Sequence, residues 1–245
     1  MKVYNDYIQF IDYIVNGISN GNYLYYQVSY IPTNKLENED FLIQLDKKIA
    51  NKYKTNINKN DRLQLRRKEK ARFLGTRYKH IVIVMKTKGN TDIAINEKWL
   101  DITKTKMEIN LTEHTQYRIG MGAKKKKTNN KSLDSKVTVT LGPVTLNRIK
   151  LACINAIQYN KSIKLLMWEW NKINGFNGWS GINKQKQQLK QYLVNEVCKH
   201  FGLKKNQANK LFRINTFKAK CVKSLDLENV NHLENTKALS IRALE

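Results

Sequence analysis

The sequence has few of the residues that build cross-links, metal centres or familiar catalytic motifs. Its three cysteines are far apart and form no CxxC pair, which argues against a disulfide framework or a zinc knuckle and predicts free or buried thiols. The four histidines are isolated, without HxH or HExxH, and neither GxxxxGK[ST] nor GxGxxG occurs. The sequence therefore predicts no metal and no cofactor, and it assigns no catalytic residue.

Long apolar runs are also missing. No stretch approaches the length of a membrane-spanning helix. The first ten residues already include acidic and polar side chains, unlike a secretory leader. We therefore expect a protein that is not secreted and does not bind membrane, in the cytoplasm or in an organelle matrix such as the plastid stroma. The sequence does not define an oligomeric state.

Acidic residues are scarce relative to basic ones. The chain has 45 lysines and arginines against 20 acidic residues, a net charge of +25, and the whole surplus lies between residues 61 and 223. So basic a protein attracts polyanions by counterion release, which makes nucleic acid the expected partner. The alternative is the codon bias of an AT-rich genome, which raises the number of lysines without any function.

Arginine is the rarer basic residue, and its distribution is uneven. Of nine arginines, five lie within residues 61–80, whereas 36 lysines are spread along the chain. The planar guanidinium binds phosphate through two parallel hydrogen bonds and stacks on bases, which an ammonium group cannot do. We therefore predict a primary nucleic-acid contact at Arg62, Arg66, Arg67, Lys68, Arg72 and Arg77. The alternative is an exposed helix whose charges only interact with water.

Hydrophobic periodicity predicts an α+β fold with a mixed, largely antiparallel sheet, N-terminal helices and a helical C-terminal half. Strands are expected at 23–31, 80–86, 92–96, 106–121 and 136–141. Helices are expected at 4–18, 36–53 and 61–73, with Gly75 ending the third, and again from residue 143. The strand at 80–86 is the most apolar and is expected to be central.

The same patterns predict a division of the chain into three parts. An α+β core at 1–142 would include the basic helix 61–73 and a basic loop at 123–131, a helical region would follow at 143–223, and 224–245 would be an acidic tail. A polar, lysine-rich loop is typical of segments that follow a phosphate backbone without reading sequence. The predicted clamp residues are Lys124, Lys125, Lys126 and Lys127.

A second candidate contact has the spacing of a helix-turn-helix, at residues 194–213. Gly202 would form the turn, and Ala208 and Leu211 would face inward on the second helix. The residues left to face a DNA groove include Lys204, Lys205, Asn206, Lys210 and Arg213. This pattern slightly favours DNA over RNA as the ligand. An ordinary helical corner gives much the same pattern and is the alternative.

Three further interpretations remain open. The four tyrosines of the strand from Tyr23 resemble a stacking platform for single-stranded bases, but they also suit an ordinary two-sided strand. An endonuclease would need a Mg²⁺ site built from Asp92, Glu97 and Asp134. A structural RNA-binding protein of an organelle ribosome would carry a similar charge.

Four features occur in a fixed order between residues 45 and 90. They are Lys52-Tyr53, the run Arg62-x(3)-Arg66-Arg67-Lys68, the apolar strand 80–86, and Thr87-Lys88-Gly89. This order resembles a group of uncharacterised proteins carried on plasmids and mobile elements of cyanobacteria, with relatives in algal organelles. The group has histidine where this chain has Lys88, so no catalytic role is carried over from it. The resemblance implies a role in replication, maintenance or mobility of a plasmid or organelle genome.

Overall fold

The computed structural model describes residues 1–93, 95–122 and 136–218. These residues form two compact units, Met1–Ile102 and 103–218, and the predicted α+β class is confirmed. The expected boundary at residue 142 lies inside the second unit, because the strands that precede it pair with one another and pack against the helices that follow. The predicted basic loop 123–131 and acidic tail 224–245 lie outside the described residues.

The first unit contains a mixed five-stranded sheet. Its elements are β1 (Lys2–Tyr4), α1 (Tyr7–Gly21), β2 (Tyr23–Tyr30), α2 (Glu39–Tyr53), α3 (Lys59–Arg67), β3 (Phe73–Tyr78), β4 (Ile81–Thr87) and β5 (Leu100–Asp101). The spatial order is β1-β3-β4-β2-β5, and β1 and β3 are the one parallel pair. The most apolar strand, β4, is central as predicted.

Two amphipathic helices cover this sheet. Successive side chains of β4 point to opposite faces. Gly17 of α1 packs near Met85, whereas α2 packs over a cluster that contains Val82. Each helix begins at a capping side chain: Asp6 accepts a hydrogen bond from the Ile8 N–H at 2.8 Å, and Asn38 accepts one from Phe41 at 2.9 Å.

The basic helix is shorter than the sequence predicted. It ends at Arg67 rather than at residue 73, because Glu69 adopts a left-handed conformation (φ 53°) and Lys70 then pairs with Asn90 in a β-bridge. Gly75 does not end a helix but lies within β3. A Cβ atom there would come 3.2 Å from the Met1 and Thr55 side chains, so this glycine makes room for both.

The predicted strand at 92–96 is not found. Of its residues, Asp92, Ile93, Ile95 and Asn96 lie in bends and turns, and residue 94 is outside the described chain.

The second unit has its own antiparallel sheet and four helices. Its elements are β6 (Met107–Thr112), β7 (Thr115–Met121), β8 (Val137–Leu141), α4 (Pro143–Gln158), α5 (Ile163–Asn174), α6 (Ser180–Phe201) and α7 (Lys205–Leu211). The strands predicted at 106–121 and 136–141 are thus present, but they form a second sheet in the order β6-β7-β8 rather than extending the first. Throughout the part of the chain that is described, no helix is both long and apolar enough to cross a membrane.

A buried lysine holds the C-terminal end of the second unit in place. The Lys186 side chain in α6 is completely buried, and its ammonium donates to the carbonyl oxygens of Phe176 at 2.9 Å and Asn215 at 2.8 Å. The Trp170 indole and the Asn174 amide both donate to the Arg213 carbonyl. Burial lowers the pKa of Lys186 from its usual value. These bonds fix the backbone that follows α7.

Candidate nucleic-acid interface

Arg77, predicted to contact phosphate, is instead part of the core. Its Nε and Nη2 atoms donate to the Oδ1 and Oδ2 atoms of Asp46 at 2.9 Å each, and both side chains are only 12% exposed. The two parallel bonds are the arrangement for which a guanidinium is suited and an ammonium is not. The forked geometry therefore explains an arginine at this position, but its partner is a carboxylate within the fold.

Two more of the predicted contact arginines have internal partners. The Nη2 atom of Arg62 donates to the Thr55 carbonyl at 3.0 Å and ties α3 to the turn after α2. The Nη2 atom of Arg72 donates to the Gly21 carbonyl at 3.2 Å, and its guanidinium lies over the Tyr23 ring. The structure therefore corrects the prediction for Arg62, Arg72 and Arg77: their guanidinium groups bind the protein itself.

Arg66, Arg67 and Lys68 remain available at the C-terminal end of α3. All three are exposed, and within the described chain their side chains form no hydrogen bond or ion pair. Cations at a helix C-terminus interact favourably with the helix dipole, which helps to explain their position. They are thus the part of the predicted primary contact that the fold leaves facing solvent.

A backbone crossing supports these residues. The Ala71 N–H donates to the Asn90 carbonyl at 2.9 Å, and the Asn90 N–H donates to the Glu69 carbonyl at 3.1 Å. The Thr87 hydroxyl accepts from the Arg72 N–H at 3.0 Å. Gly89 has a φ of 145°, a conformation that side chains rarely adopt. Thr87 and Gly89 of the Thr-x-Gly motif therefore have structural roles here.

The exposed cations at this crossing form what we call the basic turn surface. It consists of Arg66, Arg67, Lys68, Lys70 and Lys88. The exposed acidic residue within the turn is Glu69, so the local charge is strongly positive.

A cleft of about 310 Å³ adjoins the basic turn surface and shares Lys70 with it. The residues that line it include Tyr53 and Phe73, whose ring centroids lie 5.5 Å apart, and Asn90 and Asp92. Small-molecule sites are typically clefts of this size that combine apolar walls with a few polar groups. Tyr53 and Phe73 are themselves buried, at 6% and 4% exposed, so this cleft offers polar groups rather than open aromatic faces.

Glu97, one of the carboxylates of the endonuclease hypothesis, is already engaged by protein donors. It accepts from the Tyr53 hydroxyl at 2.7 Å and Gln27 at 3.1 Å, and it pairs with Lys52 at 2.6 Å. Burial raises the pKa of Glu97, but the bonds from Lys52, Tyr53 and Gln27 outweigh it and lower that pKa overall.

Of the other two proposed ligands, Asp92 is exposed and Asp134 is outside the described residues. A search of the described ranges finds no group of three His, Cys, Asp or Glu side chains that is placed to hold a metal ion.

The predicted helix pair at 194–213 is present. α6 ends at Gly202, whose φ of 65° makes the turn, and α7 follows as a seven-residue helix. Ala208 is buried as predicted, but Phe212 rather than Leu211 is the second fully buried residue. The predicted groove-facing residues are exposed: Lys204, Lys205, Asn206, Lys210 and Arg213. Base reading by α7 stays a prediction, and Lys124–Lys127 lie outside the described residues.

The four tyrosines of β2 do not form one exposed row. Tyr23 and Tyr26 are buried, Tyr25 is half-buried and Tyr30 is 43% exposed, as expected for an ordinary two-sided strand. In the second unit, by contrast, Trp168 is 59% exposed and Tyr159 is 79% exposed. The missed signal was the lysine four residues away on each side of Trp168.

Comparison with known proteins adds no assignment to this geometry. No protein-family model matches the chain, and no curated protein matches it. The function is therefore argued from the chain's own residues.

Proposed function

We propose that the chain is a nucleic-acid-binding protein whose primary contact is the basic turn surface. The observation that carries this proposal is the contrast among the arginines of residues 61–80. Three of them bind protein groups, whereas Arg66 and Arg67 are exposed and, among the described residues, bind none. The proposed biological setting, replication, maintenance or mobility of a plasmid or organelle genome, rests on the sequence resemblance alone.

The contrast matters because lysine is the usual basic residue of this chain. Its 36 lysines against nine arginines make arginine the exception. Arg62, Arg72 and Arg77 make directed hydrogen bonds to oxygen atoms within the fold, which is what an arginine provides and a lysine does not. An exposed helix that only interacts with water has no such requirement. Phosphate oxygens can accept such directed hydrogen bonds, and one guanidinium can bind two of them at once.

The backbone beneath the basic turn surface is fixed by hydrogen bonds. The crossing at Ala71 and Asn90 and the bond from Arg72 to Thr87 fix the backbone directly after Lys68. A cationic site on a fixed backbone loses less conformational entropy on binding than one on a mobile tail. DNA is the favoured ligand, with α7 as the candidate base-reading helix and Lys124–Lys127 as the candidate clamp.

The test is a charge-matched pair of variants. Arg66→Gln/Arg67→Gln removes two charges from the basic turn surface, and Lys47→Gln/Lys48→Gln removes two exposed charges from α2 of the same unit. Binding to duplex DNA, single-stranded DNA and structured RNA is measured over a salt series. The arginine variant should lose affinity and lower the salt slope by about two counterions, whereas the lysine variant should change little.

Each outcome of this experiment has a defined meaning. Unchanged binding by the arginine variant would overturn the proposed contact. Preference for folded RNA, without discrimination among DNAs, would favour the ribosomal alternative. Cleavage of a ligand when Mg²⁺ is added would favour the endonuclease alternative.

A further inference from the structure

The solvent-facing side of α5 carries a tryptophan between two lysines. Lys164, Trp168 and Lys172 follow one another at intervals of four residues, so they share one face of the helix, and all three are exposed. Trp170, two positions further on than Trp168, is completely buried, and its indole donates to the Arg213 carbonyl at 3.2 Å. The helix thus uses one tryptophan for the core and presents the other to solvent.

The exposed indole is already paired with a cation. The Lys172 ammonium lies 3.6 Å from the centroid of the Trp168 ring, and the same ammonium bonds to the Glu169 carboxylate at 2.8 Å. Because Glu169 is itself buried, it fixes the lysine beside the ring. More than half of the Trp168 side chain stays open to a second planar group. Arginine or lysine beside an aromatic ring is a recurring feature of surfaces on which bases stack.

The exposed charged residues near Trp168 in the sequence are all basic, and Glu169, which binds Lys172, is buried. Between residues 158 and 172, the exposed residues include Lys161, Lys164 and Lys172, and none of them is acidic. A second exposed ring, that of Tyr159, lies at the end of α4, just before this run. Single exposed apolar side chains are normal on proteins. An exposed indole between two exposed lysines is a more specific combination, because the ring suits the base and the ammonium groups suit the phosphates of a nucleotide.

We propose that Trp168 is a stacking platform for a base of single-stranded nucleic acid, with Lys164 and Lys172 beside it to bind the flanking phosphates. The bases of a duplex are stacked on one another, so their faces are open to an indole only in a single strand. This inference rests on the proposed function and deepens it by naming the state of the ligand. Stacking of this kind tolerates any base.

The test compares Trp168→Ala and Trp168→Phe with Leu151→Ala, which removes an equally exposed apolar side chain from α4. The ligands are an oligothymidine of about 16 nucleotides, a length within the usual range for single-strand sites, and a duplex of the same length. Trp168→Ala should weaken binding to the single strand about tenfold with an unchanged salt slope. Trp168→Phe should lose less affinity for the single strand, and neither variant should change the affinity for the duplex. Circular dichroism and thermal melting confirm that each variant is folded.

Fluorescence gives a second, independent readout. Oligothymidine should quench the emission of the wild-type protein, and the Trp168→Phe variant should lose most of that quenching. Lys164→Gln, which leaves the Lys172 contacts with Trp168 and Glu169 intact, should weaken binding and lower the salt slope by about one counterion, which separates the phosphate contact from stacking.

The outcomes separate this inference from the proposed function. If Trp168→Ala binds the single strand as tightly as the wild type, while Arg66→Gln/Arg67→Gln loses binding, the stacking platform is overturned and the basic turn surface stands. The opposite pattern would overturn the basic turn surface alone. Binding of an acidic peptide through Trp168, without binding of oligonucleotides, would make this stripe a protein-docking surface and overturn both proposals.

Discussion

Gly89 lies so close to Ala71 that a Cβ atom on the glycine would come 2.7 Å from the Ala71 nitrogen. The same Cβ would come 2.7 Å from the Glu69 carbonyl oxygen. Both neighbouring atoms belong to the backbone, which cannot move aside as a flexible side chain can. This contact links the end of β4 to the turn that follows Arg66, Arg67 and Lys68, so the proposed contact surface depends on a residue without a side chain.

Gly89→Ala should therefore affect both stability and binding. We expect a loss of about 2–3 kcal/mol in the free energy of unfolding, from the unfavourable φ and the clash together. Nucleic-acid affinity should fall as well, because the turn at 68–71 must shift. Denaturant unfolding and salt-dependent binding measure the two effects.

Gly202→Ala is the matched control for this substitution. Gly202 also has a positive φ, but nothing lies within 4 Å of the position where its Cβ atom would be. Gly202→Ala should lower the free energy of unfolding by only about 1 kcal/mol, and nucleic-acid binding at the basic turn surface should not change. Equal costs for the two variants would mean that the crossing at Ala71 is not tightly packed.

Arg77→Gln should destabilise the protein without affecting its ligand. The substitution leaves the Asp46 carboxylate largely buried without its guanidinium partner, and breaking such a pair typically costs about 3–5 kcal/mol. Asp46→Asn/Arg77→Gln should recover part of this loss, because no charge is then left unpaired. At temperatures where the variants are folded, binding should equal that of the wild type. Loss of affinity in the folded Arg77→Gln variant would return Arg77 to the contact surface.

Glu97 should contribute to the loss of folding stability of the first unit at acid pH. Its pKa is lowered in the folded state, since the bonds from Lys52, Tyr53 and Gln27 outweigh the opposing effect of burial. The stabilisation from its charge is present above the pKa of the unfolded chain, about 4.3, and is lost as the pH falls through the lower folded value. As the pH falls from about 5 to below the folded pKa of Glu97, the wild type should lose more free energy of unfolding than Glu97→Gln. Parallel pH profiles would contradict this role for Glu97.

The cysteines should differ in their reactivity. Burial raises the pKa of the Cys153 thiol to about 12, because the apolar surroundings disfavour the thiolate, and the side chain is completely buried. Cys198 is only half-buried. In the folded protein, iodoacetamide at neutral pH should modify Cys198 well before Cys153, and denaturant should remove the difference. Peptide mapping by mass spectrometry measures both rates, and equal rates in the folded state would contradict the buried position of Cys153.

The sequence predicted regular elements well where a hydrophobic period was clear. The alternation of β7 and β8 and the apolar run of β4 were read correctly. The boundary between α3 and β3 was missed because charged residues continue through it and hide the change of period. What ends the helix is the left-handed conformation of Glu69, and no pattern in the sequence marks that residue as the turn.

The candidate site was predictable only in part. Composition located the arginines, but not their partners, since Asp46 lies 31 residues from Arg77 and its pairing depends on how α2 packs on β3. Trp168 was hidden by the apolar residues around it. Which side of α5 faces solvent is decided by its packing on α4 and by the bonds from Trp170 and Asn174 to the Arg213 carbonyl.

Because Lys186 is buried, its amine should not react with acylating reagents in the folded protein. Acylating reagents neutralise lysines that water can reach, whereas this ammonium is enclosed by carbonyl oxygens of Phe176 and Asn215. Acetylation of the native protein can therefore remove surface charge while the C-terminal end of the second unit keeps its anchor. Acetylation of the denatured chain would also block Lys186. The same reagent would then give a folded protein of reduced charge or a chain that cannot refold, according to the order in which folding and modification occur.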